Sequence, residues 1–516
     1  MTIDRTDVAI IGAGHNGLVA ANLLAREGVA VSVYEASDSV GGAVRTEEPF
    51  DVAPGLGHST GAYLLGLMPP ELIEKLEIEI PTIRRDPHYF LPTTDDRYLL
   101  FGSDESAMRR QFVDFFSEAD WRANQKLQAE IEALREDLAP TWLDPPLSIE
   151  ETAERYVRPS LQEVFVELCR GSVGQYLGRF GFESDLIRAM YAVTDGFTGC
   201  HATWDTPGSG MNFLIHNMCR LAGGDGTWMI VEGGMGTVSR RLAEKAESLG
   251  VDIQTEAEVA SLQIEQDGVR GLELDGGRRV EADAVLSNAD PFTTRSIVGR
   301  ATLPDDYNVW LDSRERDGTT LKVNLCLSDL PEFSCLPEDR GQHGATMHIL
   351  PQPGGDDLIA RLTRTMAEVS EGQLPDFPTI EWYVHTTLDP SIQDSEGHHS
   401  SALFVQWVPY ELSDGTWEDR AEPYARHLLD ICDRFAPGTS ELVEEMDILS
   451  PPEIERHFGM HRGHIHHIDN TFGFDERHPY AYPIPGLYSC SAGCHPGGSV
   501  IGAAGHNAAM KILARL

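Results

Sequence analysis

Val8 to Ile11 is an apolar run that opens directly into Gly12-Ala13-Gly14-His15-Asn16-Gly17, and Leu18 to Ala25 then continues at helical spacing. A short, continuously apolar strand followed by a glycine turn and a helix predicts a βαβ unit on a parallel sheet buried on both faces. In such a turn Gly12 permits the tight bend, Gly14 lets a pyrophosphate approach the backbone, and Gly17 lets helix and sheet pack closely. The helix N-terminus beside it offers unpaired N–H groups and a favourable dipole to negative charge. A second apolar run, Ala30 to Tyr34, delivers Glu35 at the roughly 20-residue offset where an acid accepts ribose hydroxyls and would repel a 2′-phosphate. Strand, glycines, helix, strand and acid in this order predict a dinucleotide site.

The next segment separates FAD from NAD. Ser39-Val40-Gly41-Gly42-Ala43-Val44-Arg45-Thr46 supplies a second glycine pair followed by a cation. That combination suits a second backbone approach to the pyrophosphate or flavin, which an NAD site does not need. The stretch Asp7 to Thr46 resembles the N-terminal FAD signature of the superfamily of phytoene desaturases, carotenoid isomerases and amine oxidases. Three later segments resemble the same superfamily. Glu232-Gly233-Gly234-Met235-Gly236-Thr237 opens a helix and leads to Val259, whose backbone the resemblance places near adenine. Ala284 to Pro291 is similar to the strand leaving the FAD domain. Gly486 to Gly498, with a helix from about Ser499, is similar to the segment that closes over the flavin.

Many superfamily members carry an acid after the glycine corresponding to Gly493, where this chain has Cys494. Together with His15 in the first turn, the His495-Pro496-Gly497-Gly498 wording most resembles the branch named for pyridine nucleotide-disulfide oxidoreductase domain-containing protein 2, which includes many phytoene dehydrogenase-like proteins. The resemblance implies FAD as cofactor, with Gly12, Gly14, His15, Gly17, Glu35, Gly41, Gly42, Arg45, Val259, Gly493, Gly497 and Gly498 around it.

The fold class expected is α/β: a Rossmann-type FAD-binding domain with an interleaved α+β substrate domain of mixed sheet plus helical cap. FAD-binding pieces are expected at 1–80, 225–300 and 450–516. A helical cap or substrate region is expected at 81–224, and a substrate-domain sheet with helices at 301–450. Helical stretches are read at Asp104 to Phe116 and Trp121 to Leu138, and strands at Leu321 to Leu327, Thr379 to Val384 and Ala402 to Trp407.

Asp plus Glu number 82 and Lys plus Arg 40, a net charge of -42. Nucleic acid and anionic membrane surfaces are therefore poor partners. Five cations are lysine (Lys75, Lys126, Lys245, Lys322 and Lys511), so 40 minus 5 leaves 35 arginines. An acidic, lysine-poor surface fits a salt-rich cytoplasm, where a Debye length of about 3 Å in molar salt screens the repulsion; an acidic protein of a high-GC genome is the plainer alternative. No signal peptide is expected ahead of the first strand, and because no apolar stretch approaches 18 residues no spanning helix is expected either, with peripheral membrane contact left open. The eight cysteines are scattered without a C-x-x-C, which fits a reducing cytoplasm and argues against disulfide chemistry.

His461-Arg462-Gly463-His464-Ile465-His466-His467 could, as an alternating strand, aim His464 and His466 at one metal, but no cysteine or near carboxylate completes a ligand set before Asp469, and no metal is expected. His201, Trp204, His216 and Trp228 are candidates for a chamber wall, although such residues more often belong to ordinary core. His58 and His495 are the candidate catalytic residues, neither with an assignable role. The resulting expectation is an FAD-dependent oxidoreductase, a desaturase, dehydrogenase or isomerase, acting by hydride transfer on a small hydrophobic substrate, carotenoid- or isoprenoid-like by resemblance, with an unidentified electron acceptor. A flavin amine oxidase with an aromatic cage around its substrate, to which Trp204 or Tyr488 would contribute, is one alternative. A non-catalytic binding or chaperone protein on the same fold is the other, opposed by the intact glycines and Glu35.

Overall fold

The structure, a computed structural model, describes residues 4–351 and 357–515; Met1–Ile3, residues 352–356 and Leu516 lie outside the described residues. The first sheet sets strands Asp252–Gln254, Val31–Tyr34, Asp4–Ile11 and Arg279–Ser287 side by side in parallel. Leu487–Ser489 adds in parallel at the carboxyl end of Arg279–Ser287, and Gly268–Leu274 and Val259–Glu265 extend its other end antiparallel. Val8 to Ile10 and Ala284 to Leu286 are buried because helices cover the sheet, which is why these strands read as unbroken apolar runs. His15–Arg26 follows the first strand, and buried Asn22 ties it to helix Gly236–Ser248 by donating to Leu18 and Leu242 carbonyls at 2.8 Å. Helix Ala503–Leu513 crosses so close that a Cβ on Gly505 would stand 2.1 Å from the Asn16 carbonyl.

The second sheet runs in the order Val443–Leu449, Thr320–Leu327, His399–Gln406, Thr379–Val384, Thr346–Ile349, Tyr89–Pro92 and Tyr98–Phe101. Its neighbours are antiparallel except Thr346–Ile349 beside Tyr89–Pro92. Successive side chains in a strand point to opposite faces. Leu321, Val323 and Leu325 therefore join Leu403, Val405, Trp382 and Met347 on one face, over Ala425, Leu428 and Leu429 of helix Trp417–Asp433. Thr320, Lys322 and Asn324 stand on the other face.

The architecture is α/β, with a Rossmann-type sheet and an interleaved mixed sheet plus helical cap. The cap contains helices Glu105–Phe115 and Glu118–Leu138, N-capped by the side chains of Asp104 and Ser117. Helix Asp185–Tyr191 runs into a π-helical turn at Ala192–Phe197, followed by helix Ser209–His216. Within the expected helical range 81–224, strands Tyr89–Pro92 and Tyr98–Phe101 join the second sheet instead. Four residues each are too few to show a strand period in sequence. Among the described residues no helix is long and apolar enough to cross a membrane.

Candidate active site

One cavity of about 890 Å³ runs between the two sheets and under the cap. Its first end is built from the carboxyl edge of the Rossmann-type sheet, where Gly12, Gly14, His15, Asn16, Glu35, Gly41, Gly42 and Arg45 form the wall. At one of these positions only glycine fits: Gly41 holds φ at +122° with its N–H donating to the Ala13 carbonyl at 2.9 Å, and a Cβ there would meet the Val44 carbonyl at 2.5 Å. A Cβ on Gly14 would meet Asn288 Nδ2 at 2.6 Å and push that side chain aside. Glu35 pins the turn from the second strand. Its Oε2 accepts from the Ala13 N–H at 2.7 Å, and its Oε1 accepts from the Ser37 N–H at 3.0 Å and Oγ at 2.9 Å. Arg45 donates from Nε to the Gly42 carbonyl at 2.6 Å and pairs with Glu47 at 3.5 Å, so its charge is fixed beside the second glycine pair. Val259 and Glu258 line the same end, as do Asn288, Ala289 and Asp290 at the end of strand Arg279–Ser287. Inside the turn, His15 Nε2 and Asn16 Oδ1 are buried with no protein partner, and burial lowers His15 to about 4.

The other end is an inner chamber whose floor is the polar face of the second sheet. Strand register sets Lys322 opposite Phe404, Phe404 opposite Glu381, and Glu381 opposite His348, in one row across four strands. The adjoining row carries Asn324, Ala402, Tyr383 and Thr346. Lys322 Nζ donates to the Gly61 carbonyl and lies 3.8 Å from the Tyr63 ring centroid and 4.9 Å from that of Phe404, so it stands where the two ends meet. Burial brings its ammonium down to about 7 and pushes the Glu381 carboxyl up to about 7. Arg85 leans over the floor, donating from Nη1 to Thr346 Oγ1 at 2.8 Å and from Nε to the Trp228 carbonyl at 2.9 Å. From above, the π-helical turn contributes Thr194, Asp195 and, just beyond it, Thr198; Thr194 Oγ1 pairs with His348 Nδ1 at 2.9 Å, and Tyr89 OH meets the same nitrogen. Such turns recur at functional sites. Asp195 faces the cavity, away from bulk water, and that burial pushes its carboxyl up to about 7. Phe101, Met190, Tyr191 and Leu64 make the rest of the chamber apolar.

With this geometry in place, comparison with known proteins decides the family. The family described as flavin containing amine oxidoreductase matches residues 17–309. The Rattus norvegicus protein called pyridine nucleotide-disulfide oxidoreductase domain-containing protein 2 is 32% identical, over 98% of this chain and 92% of the rat protein. The chain belongs to the flavin-containing amine oxidoreductase family. It is an FAD oxidoreductase by family, and its cofactor is FAD. A limonene dehydrogenase polypeptide of Castellaniella defragrans is 25% identical over 99% of this chain and 95% of that protein. A solved putrescine oxidase variant shares the fold with a TM-score of 0.62 at 20% identity, covering 100% of both chains.

The flavoprotein does not gather every residue expected at its site. Gly493, Gly497 and Gly498 lie behind the wall: Gly497 backs onto Ile215 and Asn470, Gly498 onto His466, and Gly493 onto Pro291 and Ile468. Their neighbours Ala492, Ser499 and Val500 reach the cavity instead. Gly17 packs against the Gly12 carbonyl, as a helix-packing glycine does. His58 is fully buried outside the cavity, with Nδ1 2.7 Å from Ser400 Oγ and its ring against Phe50 and His385, and burial lowers it to about 4. His495 is buried against Phe474 and lowered to about 3. Neither wall includes them. His216 and Trp228 line the chamber, whereas His201, Trp204 and Tyr488 do not.

The histidine-rich segment is not an alternating strand. His461–Gly463 is a short 3-10 turn, and Arg462 and His467 take positive φ. His461 pairs with Glu315 at 2.7 Å, His464 with Asp469 at 3.4 Å and His466 with the Thr198 carbonyl at 2.9 Å, so each ring is spent on a different partner. Buried Arg477 organises this region. It donates to the carbonyls of Ile468 at 2.9 Å and Asp469, Cys494 and Ala492 at 3.1 Å, clamping the segment that carries His466 to the one that carries Ala492. Cys490 and Cys494 are both buried, with burial pushing the Cys494 thiol up to about 11.

Arg85, Asp195, Lys322 and Glu381 escaped sequence reasoning. One signal was available for two of them: Thr320-Leu-Lys-Val-Asn-Leu and Thr379-Ile-Glu-Trp-Tyr-Val alternate with a charged residue at an inward position.

Proposed function

We propose that this flavoprotein holds FAD along the glycine end of its cavity and oxidises an amphipathic substrate bound in the inner chamber. Gly12, Gly14, Gly41 and Gly42 would border the pyrophosphate, Glu35 the ribose and Val259 the adenine, with Arg45 supplying a fixed cation. The unpartnered His15 Nε2 and Asn16 Oδ1 beside the turn fit a ligand with polar groups there. Bound in this way, the flavin supplies a two-electron acceptor. The chain's own residues do the remaining work. The cap and second sheet exclude water, and Lys322, titrating near 7 where the two ends meet, can hold or release a proton at Nζ.

The observation that carries this reading is continuity: a single cavity joins Glu35 at one end to Glu381 at the other. The chamber chemistry favours an amphipathic substrate, because a purely hydrocarbon one would leave Arg85 Nη2 and Glu381 Oε1 desolvated without partners, at a cost of several kcal/mol. A desaturase- or isomerase-type reaction on an isoprenoid hydrocarbon is the second reading, supported by the name of the C. defragrans relative and by the apolar walls at Phe101, Met190 and Tyr191. Anaerobic mixing of the purified yellow protein with amines, amino acids and terpenes separates the two. Bleaching of the visible flavin band by a polar-headed compound supports the first, and bleaching by terpenes alone supports the second. A colourless protein that takes up no FAD would overturn both.

A further inference from the structure

The ionisable groups of the inner chamber are not paired with one another. Arg85 and Lys322 are each 4% exposed and Glu381 5%, yet among the described residues none of the three, nor Asp195, makes an ion pair. Buried charges are ordinarily paired, because desolvation is costly otherwise. Lys322 has its carbonyl and its two aromatic rings. Asp195 has the Asn217 side chain and the Arg135 guanidinium beside it, whereas Arg85 and Glu381 are left with open valences. Arg85 uses Nε and Nη1 on Trp228 and Thr346, leaving Nη2 without a protein partner. Glu381 accepts from Tyr383 OH on Oε2, while its Oε1 has no partner at all.

Their placement is specific. Thr346, which holds Arg85, is two residues before His348, and His348 stands opposite Glu381. Two residues along a strand span about 6.7 Å; guanidinium and carboxylate act on each other through space without forming an ion pair, which leaves room for a small group between them. Asp195 descends onto the same space from the π-helical turn, whose Thr194 is bonded to His348. A lone carboxylate would satisfy Arg85 and face the open oxygen of Glu381, and a lone amine would satisfy Glu381 and face an open guanidinium, with Asp195 balanced on its far side by Arg135. A group carrying both charges matches both signs.

Resting on the reading of the chamber as a substrate site, we propose that it recognises a zwitterionic amino-carboxylate head group, the carboxylate on Arg85 and the ammonium between Glu381 and Asp195, with an apolar tail toward Met190, Tyr191 and Phe101. Guanidinium–carboxylate and ammonium–carboxylate contacts are charge-assisted and strengthened by the dry surroundings.

Calorimetric titration of the FAD-loaded protein tests this with two matched probe sets. One is L-phenylalanine, 2-phenylethylamine and 3-phenylpropanoate; the other is L-leucine, 3-methylbutylamine and 4-methylpentanoate. Within at least one set the zwitterion should bind about tenfold or more tightly than either single-charge analogue. Arg85→Lys should weaken the zwitterion about tenfold, since a point charge does not replace the guanidinium fork, and leave the amine unchanged. Glu381→Gln should weaken the zwitterion and the amine and leave the acid unchanged. Should either variant fail to fold, the wild-type comparison decides alone. Equal or tighter binding of an amine or acid in both sets, or no binding by either zwitterion, overturns the proposal. A preparation that retains no flavin overturns the oxidoreductase reading instead, and the same titrations still score the head group.

Discussion

Glu35→Gln should weaken FAD binding by one to two decades while the apoprotein stays folded. The carboxylate has three donors on two oxygens: the Ala13 N–H on one, the Ser37 N–H and hydroxyl on the other. A glutamine amide has a single acceptor oxygen. Turned toward Ser37 it keeps two bonds and presents its NH₂ to the Ala13 N–H, which loses its partner in the middle of the glycine turn. A charge-assisted hydrogen bond of this kind contributes about 1.5–3 kcal/mol, and each 1.4 kcal/mol is about tenfold in affinity. The same substitution removes the charge proposed to accept ribose hydroxyls; that loss falls on the bound state and sets the fall in affinity, while the Ala13 bond is lost with or without FAD and loosens the turn. Fluorescence titration of apoprotein with FAD measures the loss, and melting of the apoprotein shows that the fold persists. A Gln variant with the wild-type FAD affinity would refute the role of Glu35.

The net charge of -42 predicts that the melting temperature rises steeply from dilute buffer to molar KCl as surface repulsion is screened; an unchanged melting temperature across that series favours the plain acidic-protein alternative. All eight cysteines are buried, so the native protein should resist a thiol reagent that titrates eight groups after denaturation, and it should show no dithiol-dependent NAD(P)H turnover. Fast native labelling of Cys490 or Cys494, or turnover abolished by Cys494→Ser, is the contrary result. Glu381 is raised from its ordinary 4.5 to about 7, so the folded state binds the extra proton between those values, and its contribution is present below pH 4.5 and lost as pH rises through 7. Glu381→Gln removes that loss, and its stability relative to the parent should therefore climb between pH 5 and pH 8; a pH-independent difference in denaturant midpoint would contradict the burial argument.

The glycine end was legible in the sequence because its parts are local. Gly12 to Gly17, Glu35 and Gly41 to Arg45 lie within one βαβ unit, and each residue type answers a requirement of backbone approach or charge that holds before any tertiary contact exists. The chamber was not, because Arg85, Asp195, Lys322 and Glu381 come from four distant segments and meet only through strand register and a π-helical turn, neither of which has a sequence period of its own. The C-terminal glycines show the limit from the other side. Gly497 and Gly498 are small because Asn470 and His466 press on them, and a glycine required by a neighbouring chain looks the same in sequence as one required by a ligand. The histidine segment misleads for a similar reason: the His464 and His466 alternation suggests a strand, while positive φ at Arg462 and His467 breaks it.

The two faces of the second sheet explain how the molecule tolerates so polar a chamber. Burying an unpaired charge costs several kcal/mol, and Arg85, Lys322 and Glu381 each incur some of that cost. On the opposite face, Leu321, Val323, Leu325, Trp382, Leu403 and Val405 are fully buried against helix Trp417–Asp433, at about 1.5–3 kcal/mol for each large side chain. The same strands therefore carry both terms, and a one-residue slip in register would turn the leucines into the cavity and the charges into the core. That penalty pins the row Lys322, Phe404, Glu381 and His348. The stability of the sheet and the position of its chemical groups are one constraint, which is why substitutions on the Leu321 face should disturb substrate binding without touching the cavity.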